Sequence, residues 1–169
     1  TDLTSKQASI GELEPCGTDS DPCPPASGTL NTVTSFDQSS SIHARFDFDL
    51  GNGLDAGNRR WAGAMILFKA TDLLDTTGGL VLGFHKTGSF TRLKIDFVDD
   101  TGDKVTVRVR DLTGTEKRYR ITPSLLAEAG LTSFDATRIR VISVVVDDTA
   151  DAAGSKTATG AVELHTVGL

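Results

Sequence analysis

The side chains of this sequence that could do chemistry are charged residues at alternate positions of short apolar segments. Residues 42–50 carry four of them on one side, namely His43, Arg45, Asp47 and Asp49. Later segments repeat the pattern with Lys94, Asp96, Arg108, Arg110, Arg118 and Arg120. A period of two is that of a strand with one polar face. Such a face either binds a polar ligand through bidentate hydrogen bonds or pairs its charges as ions in solvent.

No arrangement of residues predicts catalysis. The three histidines, His43, His85 and His165, are scattered, and no serine lies in a Gly-x-Ser-x-Gly turn. Gly51-Asn-Gly53 does not continue into a dinucleotide-binding motif, and no strand–helix–strand pattern surrounds it. We therefore expect a protein that is not an enzyme.

Length and charge restrict the partners. A chain of 169 residues can bury one core. Its 17 Lys and Arg against 23 Asp and Glu give a net charge of −6, which repels phosphate backbones and anionic lipid. No apolar run approaches the roughly 20 residues that cross a bilayer. We expect a monomer that binds no nucleic acid and does not insert into membranes.

The two cysteines, Cys16 and Cys23, lie in a segment rich in proline and glycine. A local disulfide is one interpretation and a pair of free thiols is the other. A zinc site would need about four ligands, and no further Cys or His lies close by in sequence. The disulfide predicts a secreted, periplasmic or cell-surface protein.

The chain divides into an N-terminal arm and one domain. Residues 1–30 are poor in apolar side chains, and Leu3, Ile10 and Leu13 fit neither strand nor helix periodicity. We interpret residues 1–30 as a linker or loosely attached arm that carries the disulfide. Residues 31–169 are predicted to form the folded domain.

Within that domain almost every apolar segment has the pattern of a strand. The segments are residues 42–50, 61–69, 80–84, 92–97, 105–109, 139–146 and 161–169. Gly102 in Asp99–Asp103 suits a hairpin turn. Thr122 as cap, Pro123 at the first helical position and Gly130 as stop predict one short helix. We predict an all-β, antiparallel β-sandwich of eight or nine strands, a jelly roll.

The order of these motifs resembles the galactose-binding-like jelly rolls found as carbohydrate-binding modules and accessory domains of secreted polysaccharide-active proteins. The resemblance covers about the last hundred residues. It is carried by Leu93–Phe97, Asp99–Gly102, Leu112–Gly114, Tyr119–Pro123, Ile139–Val146 and Gly160–Leu164. Two features depart from the pattern: no tryptophan precedes the proline-bearing strand, and Glu163 is followed by Leu164 and His165 where paired aspartates are common.

The resemblance implies a non-catalytic module that binds a polysaccharide, or a structural domain that packs against an adjacent domain and binds no glycan. Sugar recognition combines a flat apolar ring with bidentate polar groups. The residues predicted to bind ligand are Trp61, Tyr119, Arg45, Asp47, Arg108 and Arg110. For both Trp61 and Tyr119 the alternative is a place in the core, which large aromatic side chains favour. The abundance of arginine favours an acidic glycan.

Related jelly rolls often hold a calcium ion between the first and last strands. This implies a structural Ca²⁺ near Glu163 and Asp37, because calcium takes about six to eight oxygen ligands.

Overall fold

The computed structural model describes residues 8–13, 33–40, 43–50, 61–129, 133–147 and 159–168. In these ranges the chain forms ten strands and one helix. The elements are β1 (Ala8–Leu13), β2 (Val33–Ser40), β3 (His43–Asp49), β4 (Trp61–Phe68), β5 (Leu80–Gly88), β6 (Leu93–Asp99), β7 (Lys104–Val109), β8 (Lys117–Ile121), α1 (Pro123–Ala129), β9 (Ile139–Asp147) and β10 (Thr159–Gly168).

The strands form two antiparallel sheets of five. Sheet A has the order β1-β4-β9-β6-β7, and sheet B has the order β2-β3-β10-β5-β8. Among these described pairs, only β2–β3 and β6–β7 join strands that are adjacent in the sequence. The predicted antiparallel β-sandwich with jelly-roll architecture and one short helix is confirmed, with ten strands in the described residues where eight or nine were predicted.

The core lies between the two sheets and follows from the alternation of apolar and polar residues. In β6 the residues Leu93, Ile95 and Phe97 are buried, whereas Lys94 and Asp96 are only half-buried. The largest fully buried side chains are the phenylalanines of both sheets and of the β5–β6 connection, namely Phe46, Phe68, Phe84, Phe90 and Phe97. Because alternate residues point to opposite faces, the polar set of each strand is left on an outer face.

Strand β1 differs from the sequence prediction. The prediction of a linker or arm over residues 1–30 is wrong for Ala8–Leu13, which pair in register with Gly63–Phe68 of β4 along the whole strand. The sequence Ala-Ser-Ile-Gly-Glu-Leu lacks the apolar face from which a strand can be predicted. Backbone hydrogen bonds to a neighbouring strand form without such a face. The remainder of residues 1–30, including Cys16 and Cys23, lies outside the described residues.

Helix α1 begins as predicted. The Thr122 hydroxyl accepts a hydrogen bond from the Leu125 amide at 3.2 Å and caps the helix, and Pro123 is its first residue. Leu126 is buried and anchors the helix to the core. In the described part of the chain no helix is long and apolar enough to cross a membrane.

The hairpin between β6 and β7 has a buried aspartate at its base. Asp99 is 2% exposed. One of its carboxylate oxygens accepts hydrogen bonds from the Thr101 amide, the Thr101 hydroxyl and the Asp103 amide. The other accepts one from the Asp135 amide at 2.9 Å. Burial alone would raise the pKa of this carboxyl, but the hydrogen bonds outweigh it and the pKa lies below its ordinary value.

Candidate functional site

The structure distributes the predicted ligand-binding residues over both sheets. Arg45 and Asp47 are in β3 of sheet B, whereas Arg108 is in β7 of sheet A and Arg110 follows that strand directly. A single charged surface that contains Arg45 and Arg108 is therefore excluded by the topology.

The outer face of sheet B carries charges that pair with one another. Arg45 donates to Asp47 and to Glu163, each at 2.9 Å. Glu163 is opposite Arg45 in β3 and opposite His85 in β5. Its second oxygen lies 3.3 Å from Nδ1 of His85. This row is a cross-strand ion-pair network, the second of the two interpretations that the alternating charges allow.

The predicted calcium ligands belong to the same row. Asp37 is opposite Arg45 in β2, so strand β3 lies between it and Glu163; only the backbone of Asp37 is described. Both oxygens of Glu163 contact nitrogen groups, which does not fit a carboxylate that ligates calcium. Among the described residues no group of three or more His, Cys, Asp or Glu is arranged to hold a metal ion. The calcium site stays a prediction without a supporting contact.

The Arg45–Glu163 pair predicts a contribution to stability that depends on pH. Burial by itself would raise the pKa of Glu163, but the hydrogen bond from Arg45 and the neighbouring positive charges outweigh it and lower the pKa below 4.5. A lowered folded-state pKa stabilises the protein above the unfolded value, and this stabilisation is lost as the pH falls through the folded pKa. Urea unfolding of Glu163→Gln between pH 6 and pH 3 should therefore show a smaller acid-induced loss than the wild type. An identical loss in both proteins would contradict the assignment.

Tyr119 packs against the core at the edge strand β8. Its ring centroid lies 5.9 Å from that of Phe84, and its hydroxyl donates to the Arg110 carbonyl at 3.2 Å. Burial, and next the negative charge of Asp111, raises the pKa of the Tyr119 hydroxyl. Of the two sequence interpretations, the contacts favour the core, with the hydroxyl tying β8 to the end of β7.

Trp61, Arg108 and Arg110, the other residues predicted to bind ligand, lie near one end of the outer face of sheet A. Trp61 is opposite Asp147 of β9, and Lys94 of β6 is opposite both Val145 of β9 and Arg108 of β7. Continuing these registers by two residues places Arg92 and Arg110 in the row of Trp61. Only the backbone is described for Trp61 and Asp147. Three of the residues predicted from sequence, Trp61, Arg108 and Arg110, thus occupy two adjacent rows of one sheet face.

An apolar strip continues from these rows along the same outer face. The strip consists of apolar residues of β4, β9 and β6 that are only half-buried, namely Met65, Leu67, Val141, Val145 and Val98. Gly63, between Trp61 and Met65 on β4, is buried and carries no side chain. We call the two basic rows together with this strip the sheet A outer face.

Sequence reasoning did not select Arg92 or the apolar strip as part of a site. Arg92 has the same parity as Lys94, so the alternation that revealed β6 could have identified it. The strip could not be distinguished from the core, because β4 and β9 are apolar at almost every position.

Comparisons with known proteins show similarity at the level of structure. No family model matches the sequence, and no curated protein matches it. A solved structure of an exo-β-agarase is 12% identical with a TM-score of 0.52, over 75% of this chain and 20% of that chain. A second agarase structure is 10% identical with a TM-score of 0.48, over 73% and 22%. A family 30 carbohydrate-binding module is 12% identical with a TM-score of 0.47, over 78% and 82%.

The fold class follows from the strand order and this similarity. The chain is an antiparallel β-sandwich of two five-stranded sheets, and it shares this fold with part of the exo-β-agarase structure. It spans about a fifth of the length of the two agarase structures.

Proposed function

We propose that this domain is a non-catalytic module that binds a polysaccharide through the sheet A outer face, at the end marked by Trp61. The observation that carries the proposal is the register of sheet A, which brings the only tryptophan of the sequence and two arginines into two adjacent rows. Sugar recognition combines an aromatic ring with bidentate polar groups. Strands β9 and β6 lie between Trp61 and the two arginines, a distance of roughly 14 Å, so a polymer of several sugar units is needed to contact both.

The charges of the two faces support this choice. On sheet B, Arg45 is engaged by Asp47 and Glu163, so a sugar hydroxyl would have to displace an ion pair to reach it. Arg108 and Arg110 are exposed and form no ion pair with any residue that the structure describes. Their guanidinium donors are available for ligand oxygens. They also favour an acidic polysaccharide over a neutral one.

The mechanism is attachment rather than chemistry. A module linked to a second domain converts a weak contact with a polymer into an effectively intramolecular one and raises the local concentration of substrate. The agarase structures contain a comparable sandwich as a minor part of a longer chain. We propose the same arrangement here, in a secreted, periplasmic or cell-surface protein whose Cys16 and Cys23 form a disulfide.

Affinity gel electrophoresis against a panel of neutral and acidic polysaccharides tests the proposal. We expect at least one polysaccharide to retard the wild type, and Trp61→Ala to restore most of the mobility, because removal of one stacking ring costs a weak site much of its affinity. Arg108→Ala should weaken retention as well. The matched control is Arg45→Ala, which removes an arginine from the opposite sheet and should leave retention unchanged.

The outcomes separate the proposal from its alternatives. Retention that depends on Arg45 and not on Trp61 or Arg108 would move the site to sheet B. If Trp61→Ala does not fold, as judged by its far-ultraviolet circular dichroism, the Arg108→Ala result decides. No retention of the wild type by any polysaccharide would contradict glycan binding.

A second candidate function is that of a structural domain that packs against a neighbouring domain. The half-buried apolar strip of Met65, Leu67, Val98, Val141 and Val145 favours it. Leu67, Val141 and Val98 lie side by side in one row of the sheet, and exposed apolar surface often marks a protein contact. Failure of every polysaccharide in the gel assay would support this function.

A further inference from the structure

We propose that His43 and His165 form a binding site for a divalent transition metal ion, with Zn²⁺ as its simplest occupant, on the outer face of sheet B. This inference goes beyond the proposed function, because it concerns the other sheet and a different kind of ligand. Neither histidine was among the ligand-binding or metal-binding residues predicted from the sequence. They lie far apart along the chain, and only the pairing of the strands brings them together.

The register of sheet B places the two histidines directly opposite each other. In the antiparallel pairing of β10 with β3, His165 is the partner of His43. Only the backbone is described for these two residues. The Cβ atoms of directly opposite residues are about 4.5–5.5 Å apart, and a zinc–nitrogen bond is about 2.0–2.1 Å long. Two imidazoles from such a pair can therefore ligate one ion.

Both register positions belong to the outer face of the sheet. On β10 the buried Leu164 separates His165 from Glu163, whose side chain is on the outer face with that of Arg45. On β3 His43 has the same parity as Arg45, which is opposite Glu163. Because alternate residues of a strand belong to opposite faces, the pair is placed on a surface and not in the core.

The third histidine of the chain is engaged by other groups. His85 of β5 is opposite Glu163, one row away from His165. Its Nδ1 atom lies 3.3 Å from a carboxylate oxygen of Glu163, and its Nε2 atom lies 2.9 Å from the carbonyl oxygen of Gly114. Ligation by His85 would require one of these contacts to break. The site therefore consists of the facing pair alone.

The charges near the pair do not oppose the binding of a cation. Two arginines lie in the row of the pair or in the row beside it, namely Arg45 and Arg118. Arg45 forms ion pairs with Asp47 and Glu163, and Arg118 forms one with Glu116. Two positive charges are thus met by three negative ones, and the whole chain has a net charge of −6. The long-range field of the protein attracts cations.

The type of ligand determines the class of metal. Imidazole nitrogen suits Zn²⁺, Ni²⁺ and Cu²⁺, whereas Ca²⁺ and Mg²⁺ take oxygen ligands. The next position of the row, on β5, is Gly83, which has no side chain and supplies no further ligand. Water would complete the coordination, so the site differs from the closed four-ligand sites of structural zinc. It also differs from the calcium site that the sequence predicted at Glu163 and Asp37.

An ion at this position would connect β10 to β3. A metal that closes a long loop of the chain and binds only the folded state stabilises that state. The stabilisation should grow with the concentration of free Zn²⁺.

A zinc titration of the protein without a histidine tag tests the site. After labelling of histidine with ¹⁵N, the chain contributes only three imidazole rings to the nuclear magnetic resonance spectrum. We expect Zn²⁺ to shift the ring-nitrogen resonances of His43 and His165 and to leave those of His85 nearly unchanged. Ca²⁺ at the same concentration should shift none of the three.

Isothermal titration of variants gives a second measurement. H43Q and H165Q should each weaken the binding of Zn²⁺ by at least about tenfold, since loss of a ligand costs no less than loss of a group that only orients one. The matched control is H85Q, which removes the third histidine from the same face and should leave the affinity nearly unchanged. If H43Q or H165Q does not fold, as judged by circular dichroism, the resonance titration of the wild type decides.

Three outcomes would overturn the site. The first is that the wild type binds neither Zn²⁺ nor Ni²⁺. The second is binding that H43Q and H165Q leave intact, which would place the ion elsewhere, for example at free thiols of Cys16 and Cys23. The third is a loss of affinity in H85Q as large as that in H165Q, which would show that the facing pair is not the ligand set.

Discussion

Gly88→Ala is expected to lower the free energy of unfolding by about 4 kcal/mol, through a backbone clash and an unfavourable dihedral angle together. Gly88 ends β5 with φ at 101°, and a Cβ atom there would lie 2.0 Å from the Thr159 carbonyl oxygen and 2.9 Å from the Gly160 Cα atom. These atoms belong to the backbone of β10, the strand paired with β5. They cannot move without disturbing that pairing.

Two other glycines are matched controls for this measurement. Gly102 has φ at 95° but open space around its Cβ position, so Gly102→Ala should cost only about 1 kcal/mol of dihedral strain. Gly78 has open space and no left-handed dihedral, so Gly78→Ala should change stability by less than about 0.5 kcal/mol. Urea unfolding followed by circular dichroism ranks the three. Equal stability of the Gly88 and Gly102 variants would show that β5 and β10 are not this close.

Asp99→Asn is expected to lower the free energy of unfolding by about 3 kcal/mol, since hydrogen bonds to a buried charged group are worth more than neutral ones. The carboxylate accepts three bonds on one oxygen within its own hairpin and one on the other oxygen from Asp135. The side-chain oxygen of an asparagine can accept from the donors on one side, but its NH₂ group must then point toward a backbone N–H group on the other side. Two hydrogen-bond donors would thus face each other in a buried place.

Asp103→Asn is the control for the charge change, because Asp103 contacts Asp99 through its backbone amide and carbonyl groups. It should leave the urea midpoint nearly unchanged. The pH dependence gives a second measurement. The folded pKa of Asp99 lies below 3.8, so its contribution is present above that value and is lost as the pH falls through the folded pKa. The difference in the free energy of unfolding between the wild type and Asp99→Asn should become smaller as the pH falls. A difference that stays constant down to pH 2 would contradict the role of the carboxylate.

The local structure of most strands could be predicted because alternation and turn residues are local properties. The pattern Leu93, Ile95, Phe97 identifies β6, and Gly102 identifies its turn. The same reasoning placed the cap of α1 at Thr122. Strand β1 was not predicted, because it pairs with β4 through backbone hydrogen bonds and its side chains do not alternate between apolar and polar.

The assignment of strands to sheets could not be predicted in this way. Arg45 and Arg108 both have outward parity, yet the topology places them on opposite surfaces. Asp99 seemed to be a turn residue, and its bond to Asp135, 36 residues away, exists only because β6 pairs with β9. Proximity of this kind depends on tertiary pairing, which alternation does not encode. The sequence could therefore indicate which residue types bind a ligand, but it could not show which of those residues lie close together in the folded protein.

The position of β10 in the middle of sheet B has a consequence for how the protein is made. Residues 159–168 lie between β3 and β5, which precede them by more than seventy residues. Until the ribosome has released that segment, β3 and β5 have no partner between them and expose unpaired edges. Pairings of such long sequence separation form slowly. Folding of this domain should consequently be completed only after residues 159–168 have left the ribosome.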